Sequence, residues 1–149
     1  MGYTHYFKNE GHEDDKKNFL KVVAEAKKLY DNLPEHSESA GGYYAEEPLK
    51  LFGGHGEGEP VFNENSIIFN GDASKDLDHE TFAVYPKPFH DFCKTARKPY
   101  DLMVCAVLIS MKRHMKNFTY TSDGSGTVGG TDDWKPAKDF YEKVCRNQK

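Results

Sequence analysis

The stretch Pro99-Tyr100-Asp101-Leu102-Met103-Val104-Cys105-Ala106-Val107-Leu108-Ile109-Ser110-Met111-Lys112-Arg113-His114-Met115 decides how this chain must fold. Pro99 suits a first helical turn, because it lacks the donor that would go unused there. From Leu102 to Ile109 the helix has no polar face, and such a helix is normally surrounded by other elements. The run is far shorter than the roughly 20 apolar residues that span a bilayer, so the helix belongs inside a protein core. A chain of 149 residues and 17.0 kDa is about one domain, 1–149, large enough to bury that core.

Outward from this helix the patterning supplies the elements that cover it. Tyr3–Phe7 alternates polar and aromatic residues and predicts a short strand. Glu13, Asp14 and Asp15 open a helix whose Phe19, Leu20, Val23, Ala26 and Tyr30 recur at helical spacing, and Leu33-Pro34 ends it. Glu35–Glu59 is loop-like, with Gly41-Gly42, Gly53-Gly54, Gly56 and Gly58 around Leu49–Phe52. Val61-Phe62, Ser66–Phe69 and Thr81–Val84 predict strands, and Pro86 and Pro88 close this β-rich middle. Phe118–Thr121 adds a strand, Asp123–Thr131 a glycine-rich loop, and Trp134–Cys145 a closing amphipathic helix. The order β-α-β-β-β-α-β-α predicts an α+β domain with a mostly antiparallel sheet and three helices, one fully buried.

Composition narrows the function classes. Hydrophobic residues make up 37%, charged residues 30% and aromatic residues 13%, too aromatic for a disordered tail. The charge of -4 argues against an unspecific nucleic-acid coat, although it leaves room for a local basic patch. Met1–Phe7 has neither a basic start nor an apolar block, so no signal peptide is expected. Cys93, Cys105 and Cys145 are odd in number and widely spaced, which indicates neither a disulfide framework nor a CxxC zinc site. A protein of the cytoplasm, without a membrane partner, is the expectation.

Two segments carry the chemistry. In Phe92-Cys93-Lys94-Thr95-Ala96-Arg97-Lys98-Pro99-Tyr100-Asp101, the cations crowd the start of the buried helix, where the helix dipole disfavours them. A bound anion would reverse that sign, so Lys94, Thr95, Arg97 and Lys98 are candidate phosphate ligands. The bland alternative is that Asp101 and other acids neutralise the cluster and nothing binds. Asn70-Gly71-Asp72 and Asp78-His79-Glu80 bring an amide, carboxylates and an imidazole to one turn, where Asn70, Asp72, His79 and Glu80 could fix a sugar or base. Adjacent His79 and Glu80 would point to opposite sides of a strand, so no metal is expected.

His5, Tyr6 and Trp134 are candidate wall residues, although an isolated strand histidine is more often structural. Cys93 beside Lys94 could have a lowered thiol pKa, yet a small core residue is the safer reading. Thr121–Gly126 lacks the Lys-Ser/Thr ending of a P-loop. Gly53–Glu59 is not followed by the helix a dinucleotide fingerprint needs and reads as a mobile loop or lid, so no cofactor is expected.

The start Met1-Gly2-Tyr3-Thr4-His5-Tyr6, the blocks Phe69–Asp72, Asp78–Phe82 and Phe92–Asp101, and Ser122-Asp123-Gly124 before Trp134 occur in an order that resembles a widespread group of small bacteriophage and prophage proteins. The resemblance covers nearly the whole chain and implies a viral or prophage origin; it carries over no catalytic residues. Small phage proteins often counter host defence, and by analogy a rigid, homo-oligomeric sponge for a nucleotide immune signal fits. That signal would be a cyclic nucleotide or a cyclic ADP-ribose derivative, bound in the bacterial cytoplasm. The sequence thus points to a nucleotide-like small molecule, with no long nucleic acid as partner, and to binding rather than catalysis. Two alternatives stand beside it. One is an enzyme using His79 or Glu80 as acid/base on a phosphoester or glycosidic bond, the other a direct protein inhibitor of a host defence enzyme.

Overall fold

A computed structural model describes residues 3–36, 44, 46–123 and 134–146. Gly41-Gly42, most of the glycine-rich Asp123–Thr131 loop and Met1-Gly2 lie outside the described residues. Strand β1 (Thr4–Asn9) is followed by helix α1 (Asp15–Asp31), then β2 (Val61–Asn63), β3 (Ser66–Phe69), β4 (Phe82–Val84) and β5 (Phe89–Lys94). Helix α2 (Asp101–His114), β6 (Phe118–Ser122) and α3 (Lys135–Tyr141) follow, and a π-helical segment, Glu142–Arg146, continues α3. The strands form two antiparallel three-stranded sheets, β5-β1-β6 and β2-β3-β4. The fold is α+β, with its strands divided between two small sheets rather than gathered in one.

Helix α2 fills the middle as its composition requires. Every residue from Asp101 to Leu108 is buried, and α2 packs against α1, α3 and β6. Each fully buried Leu, Val or Met contributes about 1.5–3 kcal/mol by leaving water. Phe7 of the first sheet, Ile67, Phe69 and Phe82 of the second, and α2 share one hydrophobic core. Helix α1 buries Phe19, Val22, Val23, Ala26 and Leu29. Leu20, expected on that stripe, lies on the wet face instead. Asp15 is buried at the start of α1, where its Oδ2 accepts bonds from Asn9 Nδ2 at 2.9 Å and the His12 amide at 3.0 Å.

Strand β5 is the element the patterning hides. Of its residues only Cys93 is buried, because β5 is an edge strand with one neighbour, β1. An edge exposed on both faces shows no clean alternation. Pro86 and Pro88 therefore bracket the crossing from one sheet to the other rather than closing a β region. The Gly53–Glu59 segment, read from sequence as a lid, is tied down. Gly53 N donates to Glu57 O and Gly58 O, both at 3.1 Å, and the His55 amide donates to Thr81 Oγ1 at 3.2 Å. Gly56, at φ +77°, sits where a Cβ would lie 2.7 Å from Ala73 Cβ. Among the described residues no helix is long and apolar enough to cross a membrane.

Candidate functional site

The polar residues gathered round the start of α2 form a closed clasp. His5 projects from β1 into the core and is fully buried. Its Nε2 lies 2.6 Å from Asp101 Oδ1 and its Nδ1 2.6 Å from Ser122 Oγ. Thr95 Oγ1 donates to Asp101 Oδ1 at 2.7 Å, the Cys105 thiol lies 3.6 Å from Asp101 Oδ2, and Trp134 Nε1 donates to Ser122 Oγ at 3.1 Å. One proton order satisfies the chain: indole N–H to Ser122, Ser122 O–H to His5 Nδ1, His5 Nε2–H to Asp101. The imidazole is held edge-on between Tyr3 and Trp134, with centroids 5.1 and 5.3 Å away.

Two chemical uses of this cluster can be weighed. Ser, His and Asp in hydrogen-bonded order are the parts of a nucleophile relay. Here, however, the serine oxygen also accepts the Trp134 N–H, and the indole is buried. His5, Asp101 and Cys105 are also the one group of three metal-ligand side chains among the described residues, their donor atoms within 4.8 Å of one another. The 2.6 Å contact of His5 with Asp101 is a hydrogen bond that a metal would have to break. The arrangement joins β1, β6, α2 and Trp134 and leaves little chemistry unspent.

The two segments singled out in the sequence do meet, through structural bonds. Glu80 N donates to Lys94 O at 3.1 Å, Glu80 Oε1 accepts the Lys94 amide at 2.8 Å, and Tyr100 Oη donates to Glu80 O at 2.6 Å. Asn70 spends its whole amide on the same loop. It donates to His79 O and Thr81 Oγ1 and accepts from the Gly71 and His79 amides. Asp72 Oδ1 caps a short turn at Ser74. Gly71 is required there, since a Cβ would lie 2.1 Å from Leu77 O. His79 is exposed.

The expected phosphate ligands diverge. Thr95 points inward to Asp101, the Arg97 guanidinium lies 4.1 Å over the Tyr3 ring, Lys98 Nζ donates to Asp76 O at 2.5 Å, and Lys94 Nζ stands 6.0 Å from the Phe92 ring. At the helix start, the Asp101, Leu102 and Met103 amides donate to Lys98 O, Pro99 O and Tyr100 O. The anion facing this end of α2 is the buried carboxylate of Asp101 itself. His5, Thr95 and Trp134 come together in the clasp, while Tyr6 is exposed on the opposite face of β1. Burial pushes the Cys93 thiol well above its ordinary value, so Lys94 does not activate it.

The concave surface with surplus charge lies at the other end of α2. A groove of about 280 Å³ between α2, β6 and α3 is lined by Ile109, Lys112, Arg113, Tyr120, Lys138, Tyr141, Glu142 and Arg146. Four of these are cations and one is a carboxylate. Tyr120 stacks on Trp134, centroids 4.9 Å apart and planes 11° from parallel, and burial raises its phenol above the ordinary value. Arg113 Nη1 donates to Tyr141 Oη at 3.2 Å, which in turn donates to Glu25 Oε1 at 2.6 Å. Glu142 faces Arg146 at 3.4 Å. Lys112 and Arg113 in the last turn of α2, Lys138 in the last turn of α3 and Arg146 in the last turn of the π-helical segment after it each complement a helix dipole, and Arg113 also faces Glu25 Oε2 at 3.8 Å. The reading from sequence did not reach this site, whose signal was cations at 138 and 146, two helical turns apart, facing the basic end of α2. No protein-family model, curated protein or solved structure matches the chain.

Proposed function

We propose that the protein holds a small, anionic, ring-bearing molecule of nucleotide type in the groove between α2, β6 and α3. The observation that carries the reading is the lining: four cations against one carboxylate, beside an apolar and aromatic wall of Ile109, Tyr120 and Tyr141. Cations favour phosphate, and a tyrosine braced by stacking on Trp134 offers a surface for a base or sugar. The volume of about 280 Å³ lies just below the roughly 300–1,000 Å³ usual for ligand sites.

The same lining supports binding without conversion. Glu142, its one carboxylate, is already paired with Arg146, and no histidine lines it. The groove is equipped to hold an anion rather than to move a proton. Together with the phage resemblance, this lining supports the reading of a sponge that withdraws a nucleotide signal of the host.

The test is to incubate the purified protein with cyclic dinucleotides, cyclic trinucleotides, ADP-ribose and cyclic ADP-ribose, then isolate and heat it. Intact ligand released at a fixed ratio is the expected result. Released material of altered mass would make the protein an enzyme. Retention of none of them would overturn the reading and point to a protein partner.

A further inference from the structure

A second surface, separate from the groove's cations, has its own composition. In the β5-β1-β6 sheet, His5, Phe7 and Asn9 face the core, so Tyr6 and Lys8 face outward and are exposed, with buried Thr4 on their side of the strand. Register places Lys94, Phe92 and His90 beside them on β5, and Thr121 and Thr119 beside Tyr6 and Lys8 on β6. Tyr6 is 45% exposed and Phe92 49%, with ring centroids 6.3 Å apart. Leu20, the other large apolar side chain exposed among the described residues, lies on α1. A shallow hollow of about 250 Å³ on this face is lined by Tyr6, Lys8, His90 and Thr119–Thr121.

The charge of the face identifies what it suits. Lys8, His90 and Lys94 are exposed on it in a chain whose net charge is -4. Two flanking carboxylates are engaged: Glu10 faces Lys8 Nζ at 3.4 Å, and Asp123 accepts the Thr4 amide at 3.0 Å. A second copy docked by two-fold symmetry would press this cationic face against an identical cationic face. A lipid or apolar partner would meet two rings on a bed of threonine hydroxyls rather than a continuous apolar patch. Flat rings flanked by cations and hydroxyls match a strand of unpaired nucleotides, whose bases stack and whose phosphates carry the opposite charge.

We infer that the outer face of the β5-β1-β6 sheet binds single-stranded nucleic acid, stacking bases on Tyr6 and Phe92 and placing phosphates against Lys8 and Lys94. The inference goes beyond the groove and does not need it. It is tested by fluorescence anisotropy with a labelled oligothymidylate of about twelve nucleotides, a length one such surface can cover. Saturable binding is expected at low salt. If each lysine meets one phosphate, the slope of log affinity against log salt is about −1.4, and Lys94→Gln reduces it by about 0.7. Tyr6→Ala with Phe92→Ala weakens binding about tenfold or more, while Lys27→Gln on α1 matches the wild type. Both aromatic positions are exposed, so an unchanged urea midpoint verifies the fold. No oligonucleotide binding at low salt would overturn the inference, as would full binding by the folded double variant. So would a dimer, or attachment to anionic vesicles in place of the oligonucleotide, that the same double variant abolishes.

Discussion

The two ends of α2 are built from similar residues and do opposite things. At the first turn, His5, Thr95, Asp101, Ser122 and Trp134 meet in a buried cluster whose donors and acceptors answer one another. At the last turn, cations outnumber carboxylates round an open groove with Tyr120 in its wall. Trp134 serves both: its N–H holds Ser122 and its face stacks on Tyr120. A polar motif can thus be spent on holding the fold, while an open groove is set apart by a lining in which cations outnumber carboxylates.

The sharpest way to break the comparison is at the clasp. Asp101→Ala removes the acceptor shared by His5 and Thr95, leaves two buried donors unmet, and should cost about 1–3 kcal/mol of stability for each, read as a lower urea midpoint. A loss below about 1 kcal/mol would show that the clasp is not what holds this end of α2. Next comes Gly71→Ala, where the added Cβ meets Leu77 O at 2.1 Å. About 1–3 kcal/mol of destabilisation is expected, since backbone has to move.

Ser122→Ala leaves the Trp134 N–H and His5 Nδ1 without their partner and should cost about 1–3 kcal/mol. Its ligand affinity should match the wild type's; an abolished turnover, with binding intact, would instead make Ser122 a nucleophile. The smallest stability effect per site is expected in the groove. Lys112→Glu with Lys138→Glu reverses two charges that complement helix dipoles and should cost about 1 kcal/mol per site, while nucleotide binding is lost. Thiol labelling sharpens the same contrast. Buried Cys93 should stay silent in the native protein, and half-buried Cys145, its thiol pushed up to about 11 by burial, should react only slowly at neutral pH.

Much of the architecture was legible in the sequence because it follows from patterning. Leu102–Ile109 without a polar face required a buried helix, and Val61-Phe62 and Ser66–Phe69 read as strands, which the structure pairs across a turn where Asn63 Oδ1 accepts the Asn65 and Ser66 amides. Strand β5 was not legible, since an edge strand whose one buried residue is Cys93 carries no period. Among site residues, the gathering of Phe92–Asp101 with Asn70–Glu80 could be read, but not that Asn70, Asp72 and Glu80 would be taken up by backbone amides. The groove was missed because Lys112, Tyr120 and Lys138 lie in three elements. Only packing brings them together.

The central claim is most directly tested through Trp134, the one tryptophan of the chain, which stacks on the groove's Tyr120. Its fluorescence would be followed while cyclic dinucleotides and cyclic ADP-ribose are titrated into wild-type protein and into the Lys112→Glu/Lys138→Glu variant. The account predicts a saturable change with at least one of these ligands in the wild type and none in the folded variant. An equal, saturable response in both proteins would contradict it, and would move the ligand away from the groove.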